Sequence, residues 1–328
     1  MARLRHSSTV KGVLMRKVSK AAWILVAALG MAVAGCSQVG GLKAKMAFKD
    51  ANSLYQQQDY RKAAEKYEEA LQADPNLTAA YFFLGNSYDN LYKPARKGEQ
   101  ANDVLLTKAI DNYKKAAERE QDPKIKKLAL EYLVAAYGPD KLNDPTQAEP
   151  MVQRMIELDP KDPANYFALA KIYEDTGNYD QAEATLVRAR EAKPNDPAVY
   201  MQLAGYYNRQ GEFDKTIEAL EARAQQEPNN PEAYYTIATY YWDKAYRDFR
   251  LPEADKRKYV EQGVAAVDKA ISLKNDYMEA LVYKNLLLRL QANLEKNPQR
   301  QQALLKEADQ LRDRAQELRK QKAAGASD

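Results

Sequence analysis

The chain has 328 residues and is highly charged, with 50 lysines and arginines against 46 aspartates and glutamates. Its mean hydropathy is −0.69, and no apolar run reaches the roughly 20 residues that a membrane-spanning helix needs. The only histidine is His6 and the only cysteine is Cys36. Beyond Cys36 the sequence therefore excludes Ser-His-Asp and Cys-His nucleophiles, zinc sites with histidine or cysteine ligands, and internal disulfides.

The positive charge is concentrated at the start of the chain. Residues 1–35 contain six lysines and arginines and no acid, so without them the formal charge falls from +4 to −2. The basic isoelectric point thus belongs to this leader. It gives no reason to expect nucleic-acid binding, which needs a basic face on the folded body.

The leader has the layout of a secretory signal peptide. Residues 1–20 are basic, and residues 21–34 are almost wholly apolar but too short to span a bilayer. Small residues then lead directly into the single cysteine, as Val33-Ala34-Gly35-Cys36. This sequence resembles the lipobox of bacterial lipoproteins. An ordinary secretory peptide or a membrane anchor with an incidental cysteine is the alternative.

The lipobox resemblance implies that the Cys36 thiol is acylated and that the chain is cut before this residue. Ser37 then favours the periplasmic face of the outer membrane if the cell has two membranes. Residues 36–43 would form the lipidated cysteine and a short tether. The long basic region also suggests that translation starts at Met15, which would leave a compact leader.

Two adjacent blocks, residues 163–196 and 197–230, align without a gap, the second beginning 34 residues after the first (197 − 163). Each has a bulky residue, a leucine, a small residue, a tyrosine, a glycine and a closing proline: Tyr166, Leu169, Ala170, Tyr173, Gly177 and Pro194, then Tyr200, Leu203, Ala204, Tyr207, Gly211 and Pro228. The pattern resembles the tetratricopeptide repeat. That resemblance implies an all-α fold, a superhelical solenoid of antiparallel helix pairs.

The same pattern, sometimes more loosely, divides the region 44–277 into about six repeats. Their predicted boundaries are 44–77, 78–123, 129–162, 163–196, 197–230 and 231–277. The second and sixth carry inserts between their helices, near 92–103 and 247–259. These inserts either contact a partner or lengthen the helices and pack together. A charged helical hairpin over 278–322 is predicted to cap the stack, and 323–328 to form a disordered tail.

In tetratricopeptide proteins the first helix of each pair lines a concave groove. Carried over position by position, the resemblance places a set of apolar, amide and basic side chains there: Phe48, Asn52, Phe82, Asn86, Phe167, Lys171, Met201, Tyr235 and Trp242. Apolar anchors beside asparagines suit a bound peptide segment. The alternative is that these side chains bury against neighbouring helices or the terminal hairpin.

These features together predict a protein-binding scaffold or assembly factor of the bacterial cell envelope. Its partners would be other proteins or peptides, and the membrane through lipidated Cys36. We expect it to bind no nucleic acid, small-molecule substrate, metal or cofactor. We also expect it to have no enzyme activity. A structural subunit of an envelope complex, similar to pilotins or to adaptors of peptidoglycan hydrolases, is the alternative. A carboxylate-dependent enzyme is a remote one, because the sequence shows no paired-acid motif in a pocket-forming context.

Overall fold

The computed structural model describes residues 40–325, which form α-helices joined by short turns with no strand among them. The chain divides into two compact units, on either side of the bond between Asp144 and Pro145. The described part of the first unit contains α1 (40–56), α2 (Tyr60–Ala73), α3 (Ala79–Leu91), α4 (Gln100–Arg119) and α5 (Pro123–Tyr137). The second contains α6 (Pro145–Leu158), α7 (Pro163–Asp175), α8 (Tyr179–Ala192), α9 (Pro197–Arg209), α10 (Phe213–Gln226), α11 (Pro231–Arg247), α12 (Glu253–Leu273), α13 (Met278–Leu294) and α14 (Pro298–Gly325).

Within each unit the helices pack mainly on their neighbours in sequence. In the first unit α3 lies against α2 and α4, and α4 against α5. In the second, the pairs α7 with α8, α9 with α10, α11 with α12, and α13 with α14 are stacked one after another. The all-α solenoid of helix pairs is therefore confirmed. No helix within residues 40–325 is both long and apolar enough to cross a membrane.

The first helix of each well-matched pair begins at a proline preceded by a capping side chain. Asp162, Asp196 and Asn230 each accept a hydrogen bond from the backbone N–H two residues later, all at 3.0 Å. The proline that follows occupies the first helical position, where its missing N–H costs no helical hydrogen bond. Repeating this device sets the starts of α7, α9 and α11.

Small residues let the paired helices approach closely. Ala170, Ala182 and Ala204 are all buried, as the repeat pattern predicts. Tyrosines fill the spaces between pairs, and in the first unit Tyr67 and Tyr113 are fully buried. Ten of the 23 tyrosines are buried, and the hydroxyl that each of them carries normally needs a hydrogen-bond partner.

Several boundaries differ from those expected from sequence. Helix α1 begins at residue 40, so residues 40–43, predicted as tether, are helical. Helix α5 begins at Pro123 rather than at 129, because Asp122 caps it by accepting from the Lys124 N–H at 2.8 Å. Helix α14 runs to Gly325 and takes in the start of the predicted tail.

The two inserts adopt different structures. The first forms a loop with a short 3-10 turn, Pro94–Arg96. Asn102 holds this loop by accepting from the Lys93 N–H at 2.8 Å and donating to the carbonyls of Lys93 and Arg96, both at 3.1 Å. The second mostly lengthens its flanking helices, so that α11 and α12 have 17 and 21 residues. The helix-extension alternative thus fits the second insert better than the first.

Candidate functional site

In the second unit, the predicted groove residues lie on the first helices of successive pairs. We call this the A-face, formed by α7, α9, α11 and the adjoining side of α13. Phe167, Met201, Tyr235 and Trp242 are each partly exposed on it. A partly exposed apolar side chain retains surface that a partner can still bury.

Aromatic rings concentrate on the part of the A-face formed by α11 and α13. The Trp242 ring stacks on Tyr246, with centroids 4.9 Å apart and planes inclined by 11°. Tyr283 of α13 meets Trp242 edge-on at 5.5 Å and Tyr235 edge-on at 5.3 Å. Tyr277 contacts the other side of Tyr235 at 5.2 Å. These five residues are named the A-face aromatic cluster.

A shallow cavity adjoins this cluster and mixes aromatic with polar walls. Its volume is ≈ 340 Å³, and it is lined by Asn208, Thr239, Tyr240, Trp242, Asp243, Arg247 and Tyr283. Trp242 and Tyr283 belong to both the cavity and the cluster. An apolar anchor of a partner can thus rest on the rings while polar groups beside it orient its backbone.

The cations on this face are already paired with acids. Lys171, exposed on α7, forms an ion pair with Asp175 one turn later. Arg209 binds Glu174 through two hydrogen bonds, and Arg247 Nε lies 2.6 Å from Asp243 Oδ1. Paired charges leave little net field to attract a strongly charged ligand. The face therefore favours a largely uncharged partner segment.

Burial also changes the acidity of the cluster. Desolvation, with smaller contributions from Tyr283, Tyr277 and Glu279, raises the pKa of the Tyr235 hydroxyl to about 12. The hydroxyl is therefore neutral at physiological pH and can donate or accept a hydrogen bond.

The first unit places its four predicted groove residues differently. Phe82 and Asn86 are buried, at 7% and 2% exposed, so these side chains are core residues rather than open groove surface. Phe82 packs against Tyr113 and Tyr132, with centroids 5.9 and 5.5 Å apart. This outcome matches the alternative of burial against neighbouring helices.

The side-chain amides of Asn86 and Asn52 are hydrogen-bonded to tyrosines of the same unit. Asn86 Oδ1 accepts from the Tyr55 hydroxyl at 2.5 Å, and Asn52 Oδ1 accepts from the Tyr67 hydroxyl at 2.7 Å. Phe48, which is partly exposed, contacts Tyr67 at 5.7 Å. Only Phe48 and Asn52 of this group retain accessible surface.

Three of the five members of the A-face aromatic cluster, Tyr246, Tyr277 and Tyr283, were not predicted from the sequence. Tyr283 lies in the hairpin, which has lost the repeat signature, and Tyr246 lies beyond the groove positions of its repeat. The available signal was a pair of tyrosines at the start of this hairpin, Tyr277 just before it and Tyr283 within it. The predicted lipidation site, Cys36, lies outside the described residues. Within residues 40–325, no group of acids is placed to hold a metal ion.

Comparison with known proteins identifies tetratricopeptide repeats in three stretches of the chain, residues 51–77, 141–204 and 197–240. No curated protein sequence matches the chain. Such repeats build extended surfaces that bind other proteins or peptides. The chain therefore has the fold of a protein-interaction scaffold.

Among solved structures, the chain is similar to the C-terminal part of a TPR repeat-containing protein from Cytophaga hutchinsonii, at 16% identity and a TM-score of 0.53, covering 80% of this chain and 95% of that one. A tetratricopeptide repeat protein from Parabacteroides merdae matches at 15% identity and 0.43, over 82% and 99%. PilW, a type IV pilus biogenesis factor, matches at 18% and 0.37, over 80% and 98%. At these identities the likeness concerns the fold alone.

Proposed function

We propose that this protein is a membrane-anchored scaffold of the bacterial cell envelope that holds segments of other proteins on its A-face. The observation that carries the binding proposal is the A-face aromatic cluster. Its five rings come from α11, the start of α13 and the turn before it, and each contacts the next in a continuous series. Aromatic side chains supply large contact areas at small entropic cost, which is why they dominate binding hot spots. Anchoring rests on the lipobox resemblance around Cys36.

The chemistry of the A-face defines the kind of segment that would bind. Half-buried rings accept apolar side chains, while Asn208 and Thr239 offer donors and acceptors to a peptide backbone. The ion-paired cations leave no excess positive charge for an acidic C-terminus. We therefore propose an uncharged or weakly charged segment with apolar anchors.

A stable structural role in an envelope complex is the second form of this function. In that case the protein would copurify with its partners at a fixed stoichiometry, whereas a transient adaptor would release them on dilution. We expect no catalytic activity from either form.

The test compares copurifying proteins from gently solubilised membranes, with the affinity tag at the C-terminus. The variant Phe167→Glu, Tyr235→Glu places two carboxylates on the A-face, and Glu191→Lys on the exposed side of α8 is the matched control. Both must first show wild-type helicity by circular dichroism. Loss of a partner from the double variant alone supports A-face binding. Retention of the same partners would assign binding to another surface.

A further inference from the structure

A cavity of the second unit lies away from the A-face, between the second helices α10 and α12 and against α11. Its volume is ≈ 650 Å³, and Ala224, Tyr234, Ile237, Tyr241, Gln262 and Ala265 are among the residues that line it. This size falls within the range of binding pockets for small ligands and peptide anchors. We name it the B-face pocket.

A smaller cavity occupies the same place one repeat earlier, with a volume of ≈ 180 Å³. Tyr200, Leu203 and Tyr207 of α9 correspond to Tyr234, Ile237 and Tyr241 of α11 at the repeat offset of 34 (234 − 200). Lys215 and Glu218 of α10 correspond to Gln262 and Ala265 of α12 at an offset of 47 (262 − 215), which is the repeat plus the insert. The repeat itself therefore supplies an internal comparison.

In the earlier repeat, charged side chains fill and satisfy this position. The Tyr207 hydroxyl donates to Glu183 Oε1 at 2.9 Å, and Lys215 Nζ donates to the same oxygen at 3.0 Å. Lys215 also lies over the Tyr207 ring, 4.9 Å from its centroid. One repeat before that, Tyr173 makes the equivalent bond to Glu149 at 2.8 Å. The tyrosine–glutamate bond is thus a recurring element of the stack.

At the junction of the fifth and sixth repeats this charged set is lost. Ile217 stands where Glu183 stands, Ala224 where Arg190 stands, and Gln262 where Lys215 stands. Alanines stand where Arg190 and Glu218 stand in the earlier repeat, at positions 224 and 265, and these shorter side chains account for the greater volume. The same replacements make the floor apolar.

Two polar groups are left without partners as a result. The Oε1 atom of Gln262 is buried and has no hydrogen bond among the described residues. Tyr241 is 4% exposed as a residue, and among the described residues its hydroxyl makes no hydrogen bond of the kind that Tyr173 and Tyr207 make, although the oxygen itself still reaches solvent. Glu221 acts on it only through its charge, which adds to the desolvation that raises the pKa of Tyr241 to about 12. A buried acceptor normally has a partner, so Gln262 Oε1 and the Tyr241 hydroxyl are the two polar groups of this pocket that can still bond to a bound segment.

We propose that the B-face pocket binds an uncharged peptide segment of a partner protein through one apolar side chain and the adjoining backbone. The gap between Ala224 and Ala265 takes the side chain. A backbone N–H donates to Gln262 Oε1, and a backbone carbonyl accepts from the Tyr241 hydroxyl.

The dimensions and charges of the pocket support this occupant. Tyr234 and Tyr241 lie two turns apart on α11, which is about 10 Å and matches roughly three residues of extended chain. Glu221 on α10 and Lys269 on α12 stand on opposite walls, so the rim has no net charge. Because the two charges oppose each other, the rim attracts neither a cationic nor an anionic ligand overall, which favours an uncharged one.

The experiment pans a displayed library of random short peptides on the full chain and measures each selected peptide by fluorescence anisotropy. The variant Ile217→Glu, Ala224→Arg, Gln262→Lys restores the side chains of the preceding repeat. Because that repeat carries the same set in the folded chain, the variant should keep wild-type helicity. Ala265→Glu, which copies exposed Glu218, is the single-site variant to use if the triple one is less helical.

The expected result is a set of uncharged peptides with an aliphatic or aromatic anchor that lose about tenfold or more in affinity for the variant. The same peptides should bind Tyr235→Glu as tightly as the wild type, which separates this pocket from the A-face and from the proposed function. Peptides that bind the restored variant equally well, or no enrichment at all, would overturn the proposal. So would variant-sensitive self-association without peptide binding, because the occupant would then be a second copy of this chain.

Discussion

Arg209 and Glu174 join two successive repeats of the second unit through a bidentate contact. Arg209 Nε donates to Glu174 Oε1 at 2.6 Å and Nη2 to Oε2 at 2.9 Å, across 35 positions of sequence. The carboxylate is only 13% exposed, while the guanidinium is 53% exposed. The pair therefore fixes Arg209 along the A-face, with its third nitrogen close to Gly205 of the same helix.

Gly205→Ala is expected to stabilise the chain slightly. A Cβ added there would meet only Arg209 Nη1, at 3.3 Å, and this nitrogen, which makes no bond to Glu174, needs to shift by only a few tenths of an ångström. Alanine in a helix interior is favoured over glycine by about 1 kcal/mol. Gly85→Ala is the matched control, because its Cβ would lie 2.9 Å from the Tyr113 ring and 3.0 Å from the Ala109 carbonyl oxygen. We expect it to destabilise by about 1 to 3 kcal/mol. Urea denaturation of both variants measures the difference, and equal effects would contradict this account.

Removing Asp89 should destabilise the first unit strongly. Its carboxylate is paired with Lys141, and their side chains are 9% and 19% exposed. It also accepts from the Tyr113 hydroxyl at 3.3 Å. Asp89→Ala leaves the largely buried Lys141 ammonium without its partner. In buried ion pairs such a loss lowers the free energy of unfolding by about 3 to 5 kcal/mol. The double variant Lys141→Met, Asp89→Leu should lose less free energy of unfolding than the sum of the losses from Lys141→Met alone and Asp89→Leu alone. Additive losses in a double-mutant cycle would show that the two groups do not interact.

Stability should decline between about pH 10 and pH 12. The phenols of Tyr207, Tyr235 and Tyr241 have ordinary pKa values of 10.0, which burial raises to about 12 in each case. Between these values the unfolded chain has lost protons that the folded chain retains, so the free energy of unfolding falls as pH rises. Hydrogen bonds to Glu212 and Glu183 likewise raise the pKa of Lys215, which acts in the same direction.

Urea unfolding at stepped pH, with tyrosinate absorbance read in parallel, measures this decline. Tyr207→Phe should make it shallower, because one of the shifted phenols is gone. A flat profile up to pH 12, or an unchanged slope in the variant, would show that these hydroxyls titrate as in the unfolded chain.

Trp242 should report directly on A-face binding. The chain has two tryptophans, and Trp23 is the other. In a Trp23→Phe background, a partner segment that covers the A-face aromatic cluster should shift the Trp242 emission as the ring loses contact with water. Tyr283→Ala should weaken that binding by about 1 kcal/mol or more, because it removes the ring that contacts both Trp242 and Tyr235. A peptide bound only in the B-face pocket should leave the emission unchanged.

Cys36→Ser is expected to abolish membrane anchoring. Two or more acyl chains are needed for stable attachment, and the lipobox resemblance places all of them on this residue. The wild-type protein should partition into detergent and carry the added acyl mass, while the variant should stay in the aqueous phase. Membrane association that survives the substitution would assign the anchor to another part of the chain.

Much of the second unit could be predicted from its sequence because the repeat is regular there. Asp162, Asp196 and Asn230 identified the helix starts correctly, since an acid or amide before proline has a specific capping geometry. The groove positions of Phe167, Tyr235 and Trp242 followed from the same register. The groove positions of the first unit were not predicted as well. A rule based on position within one helix pair does not include the aromatic rings that the next pair packs against it. Tyr113 and Tyr132 bury Phe82 at a position where Phe167, Met201 and Tyr235 of the second unit remain partly exposed.

The B-face pocket was detectable in principle but was not predicted. Its signal is a break in the repeat, where Ile217 replaces the glutamate found at 183 and Ala224 replaces Arg190. A search for repeats relies on positions where successive repeats carry similar residues, and at these positions the residues differ. Only the hydrogen bond between Tyr207 and Glu183 shows why the lost glutamate matters.

The gapless alignment of residues 163–196 with 197–230 has a consequence for how such a chain changes over time. The surface with which each block packs on the next is nearly the same from block to block. If one block is removed, the two surfaces that then meet already fit each other. Copy number can thus be gained or lost in single steps without redesigning the core, since stability is close to a sum over blocks and their junctions. The length of the array is adjustable by duplication, while the aromatic cluster and the pocket depend on the junctions that the sixth repeat makes with the fifth repeat and with the terminal hairpin.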